Sequence, residues 1–155
     1  MQKIVYHPDE MLDVAAFRCK GLHAPEIPLD AQADVLAENE FLLEDVTVFG
    51  YPPIPFAKAP YLVCLPACVS AVIDHYSVKR RHFVISGMAR GGFSGGPAIL
   101  YAPPHATLGV VTHALLKDTM PTELGFMSVI SAGAIVSMLE SHDVKGWKKA
   151  NRTEG

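Results

Sequence analysis

What this sequence most lacks is an excess of positive charge. Among 155 residues, 13 Lys and Arg stand against 16 Asp and Glu, a formal net charge of −3 with histidines neutral. That balance excludes a nucleic-acid partner, because such proteins need clustered cations to displace counterions from phosphates. The one basic cluster, Lys79-Arg80-Arg81-His82, is short enough to be a solvated strand end. Long hydrophobic runs are lacking as well. The most apolar stretch, residues 60–73, is interrupted by Pro66 and falls short of the ~20 residues that span a bilayer. The opening residues lack the apolar core of a signal peptide. Cysteine is scarce and odd in number: Cys19, Cys64 and Cys68 cannot all pair within one chain. A Cys64–Cys68 bond inside one strand is disfavoured, since residues four apart in an extended chain are too distant. Reduced thiols and a cytoplasmic location follow for the chain as it stands. Charged residues make up only 19% of the chain against 50% hydrophobic, so it can bury a core and is not disordered.

What is present reads mostly as β-structure. Short runs rich in Val, Ile, Leu and Phe are separated by Gly, Pro and polar clusters. Residues 3–6 and 14–19 predict two strands joined by the turn His7-Pro8-Asp9-Glu10. Residues 21–43 hold two prolines and no clean period, and read as a linker. Residues 46–50 predict a strand ending at Gly50-Tyr51-Pro52-Pro53. Further strands are predicted at 61–65, 69–75, 82–86, 98–101, 107–115 and 126–130. A helix is predicted over 131–142, with Ser131 as its cap and Ile135, Met138 and Leu139 at helical spacing. The tail, 143–155, is polar and expected to fray. Many strands followed by one terminal helix predict an all-β barrel or sandwich with a C-terminal helix.

The segment richest in chemistry is Gly91-Gly92-Phe93-Ser94-Gly95-Gly96-Pro97. A serine framed by glycines sits where the backbone can turn tightly with positive φ. Such a turn can expose the hydroxyl and converge backbone N–H groups on one small space. An acyl-transfer nucleophile needs that arrangement, because donors must meet the developing charge of a tetrahedral intermediate. Composition alone also fits a glycine-rich hairpin loop with a surface serine. The formal match to G-x-S-x-G, the nucleophile elbow of α/β-hydrolases, fails on context. That motif lies between a strand and a helix, whereas Pro97 and the β-prone Ala98-Ile99-Leu100-Tyr101 follow here.

Gly-Phe-Ser-Gly-Gly-Pro instead resembles the G-x-S-G-G-P signature of trypsin-like, chymotrypsin-fold serine peptidases. Leu12-Asp13-Val14-Ala15-Ala16-Phe17 resembles the segment that carries that family's acid. Phe49-Gly50-Tyr51-Pro52 resembles the opening of the second barrel in bacterial members, and Gly109-Val110-Val111-Thr112-His113 the strand beside the substrate backbone. The resemblance covers about residues 4–141. It implies a chymotrypsin-like fold, essentially the second six-stranded β-barrel with the last strands of the first barrel and a C-terminal helix. The implied divisions are 1–20 for those last strands, 21–43 for the inter-barrel linker, 44–142 for the barrel with its helix, and 143–155 for the tail. Ser94 is then the nucleophile, Asp13 the orienting acid, and the N–H groups of Gly92 and Ser94 the oxyanion hole. Met88 falls at the base of the primary specificity pocket, with Ala89, Thr112, His113 and Ala114 as candidate walls. None of these is acidic, so a small or medium apolar side chain is expected before the scissile bond. Phe93 replaces the aspartate that pairs with a new N-terminus in animal digestive enzymes, so activation by N-terminal processing is not expected.

The family's histidine should precede the aspartate. His7 is the only one that does, and its place in the connecting turn marks it as a turn residue. His23, His75, His82, His105, His113 and His142 break the family order. Two barrels need roughly 200 or more residues. The expectation is therefore an N-terminally truncated peptidase, lacking its catalytic histidine and inactive alone, whose export signal could be lost with the missing part. The expected partners are a peptide or protein substrate and a missing N-terminal barrel, with no nucleic acid, no membrane span and no cofactor. A non-catalytic peptide-binding module is the alternative. No metal is expected, since Cys64-x₃-Cys68 with His75 and His82 fits no common zinc spacing.

Overall fold

The β-prone runs close into a barrel. A computed structural model describes residues 4–21, 25–36, 38–74, 80–87, 91–116 and 123–150. In chain order the elements are β1 (Ile4–Tyr6), β2 (Ala15–Phe17), β3 (Leu29–Asp30), a 3-10 turn (Glu38–Glu40), β4 (Asp45–Gly50), β5 (Val63–Asp74), β6 (Arg81–Ser86), β7 (Pro97–Leu100), β8 (Thr107–Leu116), β9 (Glu123–Ser131), α1 (Ala132–Ser141) and β10 (Lys149–Ala150). Six antiparallel strands run β8-β7-β4-β5-β6-β9, and a β8–β9 pairing closes the ring. Closure leaves each of the six with two strand neighbours and removes the free edges of an open sheet. Alternation does the rest: Val46, Val48 and Gly50 point inward from β4 while Asp45 stays exposed. Phe83, Ile85, Leu108, Met127 and Val129 fill the interior. Each large side chain so buried contributes about 1.5–3 kcal/mol. The all-β barrel with one terminal helix is as expected from the sequence. Among the described residues, no helix is long and apolar enough to cross a membrane.

Two expected strands, 61–65 and 69–75, are one in the structure. β5 runs through Pro66, which stands opposite Thr47. The β5–β6 register begins only at Cys68, so Pro66 lies where β5 has a partner on one side alone. A residue without an N–H is tolerated at such an edge. An irregularity between Val69 and Ala71 marks the part of β5 that pairs with β6.

Parts of the segment read as a linker, residues 29–36 and Phe41, pack against the barrel. Ala33 and Phe41 are fully buried, and the Phe41 ring meets Phe83 at 5.1 Å between centroids. Arg81 Nη1 donates to the Leu36 carbonyl at 2.6 Å and to that of Ala33 at 3.3 Å. Asp34 accepts a hydrogen bond from Ser131 Oγ, and its carboxylate fills the space a side chain on Gly133 would need. Ser131 is therefore the residue at the helix start but not its side-chain cap; the hydroxyl is given to Asp34. The carboxylate from the preceding segment faces the positive end of α1. The tail differs from expectation too. β10 pairs in parallel with β3, and Trp147 Nε1 donates to the Val144 carbonyl at 2.9 Å, so the described part does not fray.

β1 and β2 form a separate two-stranded ribbon. Its turn is held by Asp9, whose Oδ1 accepts from the Met11 N–H and whose carbonyl accepts from the Leu12 N–H. Leu12 packs on Ile130 and Ala134, beside Val14 and Val110, and fastens the ribbon to α1 and the barrel wall.

Candidate active site

The serine loop hangs between two barrel strands by its backbone. The Gly95 N–H donates to the Val111 carbonyl at 2.8 Å, and the Val111 N–H donates to the Gly96 carbonyl at 2.9 Å. On the other side the Tyr51 N–H donates to the Gly92 carbonyl at 2.8 Å, and the loop closes on itself through Gly96 N–H to the Phe93 carbonyl. β8 and the end of β4 thus grip the loop from opposite flanks. Phe93 is its anchor, buried in the barrel core while its neighbour Ser94 is exposed.

Close backbone approach requires glycine on both sides of the contact between the serine loop and the end of β4. Gly92 has φ of +102°, and a Cβ there would lie 2.6 Å from Pro52 Cα. A Cβ on Gly50 would lie 2.6 Å from both the Gly92 carbonyl oxygen and Phe93 Cδ1. A side chain at either position would push the serine loop off its support. The Gly95 and Gly96 amides are paired as described, while among the described residues the N–H groups of Gly92 and Ser94, like that of Phe93 between them, meet no protein acceptor. An exposed hydroxyl flanked by two free donors is an arrangement that can hold a developing oxyanion.

β8 adds a second feature. It pairs with β7 only as far as Val110, then continues past the serine loop to Leu116 with β9 along its other side. Among the described residues, Thr112–Leu116 has no strand on its loop-facing edge. Such an edge offers unpaired backbone groups to an extended peptide. Thr112, a candidate pocket wall, gives its hydroxyl to the Ser128 carbonyl at 3.1 Å. His113 and Ala114 follow on β8, in register with Ser128 and Met127. Met88 and Ala89 lie outside the described residues.

Asp13 leaves the ribbon turn exposed to solvent, and no bond joins it to Ser94. Its neighbours Leu12 and Val14 pack beside Ile130 and Val110, and Val110 is the register partner of Pro97. The two residues are therefore fixed to the same stretch of β8 without touching. His7 has a structural role. Its Nδ1 accepts from the Asp9 N–H at 3.0 Å, which leaves the proton on Nε2 to donate to Ser137 Oγ at 3.2 Å. Ser137 in turn donates to the Ala134 carbonyl. His142 Nε2 bonds the Tyr6 carbonyl, and His82 Nδ1 bonds that of Arg80. His23 and His75 lie outside the described residues.

A shallow depression of about 330 Å³ opens beside Ser94, walled by Phe49, Tyr51, Leu62 and Pro97. The strand-by-strand reading of the sequence missed it. The signal was there in the proline-rich loop after β4, where Tyr51, Ile54, Phe56, Tyr61 and Leu62 all stay exposed.

A barrel with a terminal helix and a glycine-framed serine loop is a peptidase-like arrangement. The structure is similar to the active form of the Rv3671c protease from M. tuberculosis, with a TM-score of 0.66 at 24% identity, over 94% of this chain and 60% of that one. It is also similar to an inactive form of Rv3671c, with a TM-score of 0.62 at 26% identity, over 90% of this chain and 66% of that one. The fold is thus chymotrypsin-like, shared with a bacterial protease, and the chain spans less than two thirds of either neighbour's length. No protein-family model and no curated protein matches the sequence.

Proposed function

We propose that this chain is the nucleophile-bearing part of a trypsin-like serine endopeptidase. The observation that carries the proposal is the exposed Ser94 hydroxyl, held by a loop whose Gly92 and Ser94 N–H groups meet no acceptor among the described residues. Ser94 Oγ attacks the scissile carbonyl carbon as a general base takes its proton, and the two N–H groups receive the oxyanion. Collapse of the tetrahedral intermediate expels the amine, which takes that proton from the base; water then repeats the sequence on the acyl-enzyme. Asp13 orients the base. The acyl side of the substrate pairs with the open edge of β8, and its first side chain enters the pocket assigned to Met88, Ala89, Thr112, His113 and Ala114. With no acid among these residues, cleavage after Lys or Arg is not expected; a peptide library cut mainly after basic residues would overturn that preference.

The general base belongs to a partner domain. His7, His82 and His142 are all bonded to groups away from Ser94. The outer face of the ribbon gives such a domain a place to sit, since Ile4, Tyr6 and Phe17 are each at least half exposed there. Without a base, only the residual catalysis of the oxyanion hole and binding remains.

Labelling by a fluorophosphonate tests this. The chain alone should label at a rate far below that of active serine hydrolases. A version extended by the polypeptide encoded in frame upstream should label rapidly, and Ser94→Ala in that version should abolish it. Should the extended version stay dark, the same serine loop and open strand edge favour the second reading, a non-catalytic module that holds peptides.

A further inference from the structure

We propose that the depression between Ser94 and the loop after β4 selects a large apolar side chain on the leaving-group side of the scissile bond. This rests on the peptidase reading and adds a specificity to it.

The placement follows from the strand order. β7, which begins at the end of the serine loop, has β8 on one side and β4 on the other. A peptide whose acyl half lies along the open edge of β8 must carry its leaving half across Ser94, toward β4. There the depression begins, with Ser94 and Gly92 in its lining and Phe49, Tyr51 and Leu62 as its far wall. It is therefore continuous with the reacting serine.

Its chemistry is one-sided. Among the described residues, none that lines it is charged. Phe49 and Pro97 are half-buried and present apolar surface, while Tyr51 and Leu62 stand more than half exposed. At about 330 Å³ the space is at the small end of ligand clefts, enough for one side chain and too small for a folded segment. A phenylalanine or leucine entering it would remove water from those two exposed surfaces as well as its own. A glutamate would lose hydration with no cation among the described lining residues to replace it. Tyr51 and Leu62 are thus specificity-determining residues, remote from proton transfer.

The test separates this inference from the reading beneath it. ¹⁵N-labelled chain carrying Ser94→Ala, so that nothing is consumed, is titrated with two probes while amide shifts are followed. One is an acetylated tetrapeptide of small apolar residues, representing the acyl side. The other is a free-amine series Xaa-Ala-Ala-amide with Xaa as Phe, Leu, Ala or Glu. The acetylated peptide should shift the amides of Thr112–Leu116. The Phe and Leu members should shift Tyr51, Leu62 and Gly95, with a Kd about five- to tenfold below that of the Ala member, as partial burial of such a side chain supplies. Leu62→Ser, an exposed change that leaves the core intact, should cut that preference to about twofold. A β8 response without first-residue preference overturns the inference alone. Preference without a β8 response overturns the peptidase reading and with it the leaving-group assignment. No response to either probe overturns both.

Discussion

The barrel and the β1–β2 ribbon hold the two halves of the candidate site on unequal foundations. The barrel is closed, and the loop that carries Ser94 is bonded to β8 on one flank and to Tyr51 on the other. The ribbon that carries Asp13 has two three-residue strands, each paired only with the other. A lone two-stranded ribbon is marginal in water. This one is kept in place by Leu12 on Ile130 and Ala134 and by the His7–Ser137 bond to α1. Its outer face stays bare, with Tyr6 64% and Phe17 63% exposed. Ser94 is thus held by bonds to the barrel, whereas Asp13 stands on an element with one bare apolar face.

That contrast can be broken most strongly in the barrel. Phe83 is fully buried against Phe41, so Phe83→Ala should cost about 3–5 kcal/mol and unfold the serine loop together with the core. Urea unfolding followed by the Trp147 signal and by far-UV dichroism should shift as a single transition. Leu12→Ala should cost less, about 2 kcal/mol, because its cluster is small and lies near the surface. Its loss should be local. Hydrogen exchange ought to quicken at the His7 and Leu12 amides while those of β4 and β9 stay protected. Equal deprotection of ribbon and barrel would show that the two form one cooperative unit.

The sequence was most legible where local pattern and tertiary fate agree. Val46 and Val48 alternate inward as any half-buried strand would, and the helix over Ala132–Ser141 starts at Ser131 as its spacing implies. It was least legible where a distant partner decides. Pro66 reads as a strand breaker until β5 is seen to have one neighbour there. Ser131 reads as a cap until Asp34, almost a hundred positions earlier, takes its hydroxyl. Lys149 and Ala150 carry no strand pattern of their own and are extended only because β3 lies beside them. For the site, the Gly-rich frame of Ser94 marks the turn, since positive φ at Gly92 and Gly95 is a backbone demand written in residue type. Of the depression beside it, the sequence offered only the aromatic, proline-rich run after β4; that Phe49, Tyr51 and Leu62 face residues 92–97 across one space follows from the β4–β7 pairing.

Sharpening the comparison takes smaller changes. Gly92→Ala places a methyl group against Pro52 in a backbone conformation with φ of +102°, and should cost roughly 1–3 kcal/mol. The strain should be relieved by moving the loop rather than the barrel. The Gly95 amide, bonded to the Val111 carbonyl, should lose protection, while the melting of the core changes by far less than in Phe83→Ala. Phe17→Ser lies at the other extreme. Its side chain is on the bare face of the ribbon, opposite Ile4, and touches no buried cluster. An exposed substitution of this kind should leave the chain's unfolding free energy within about 0.5 kcal/mol. Yet it removes part of a contiguous apolar face, and such faces drive association. The expected outcome is an unchanged urea midpoint together with less self-association in sedimentation velocity. On the proposed reading, the same substitution in the version extended upstream should slow fluorophosphonate labelling of Ser94, because it would weaken the seat proposed for the domain that brings the base. A clear loss of stability from Phe17→Ser would mean that the face is already packed within this chain, and the base would then have to approach Ser94 by another route.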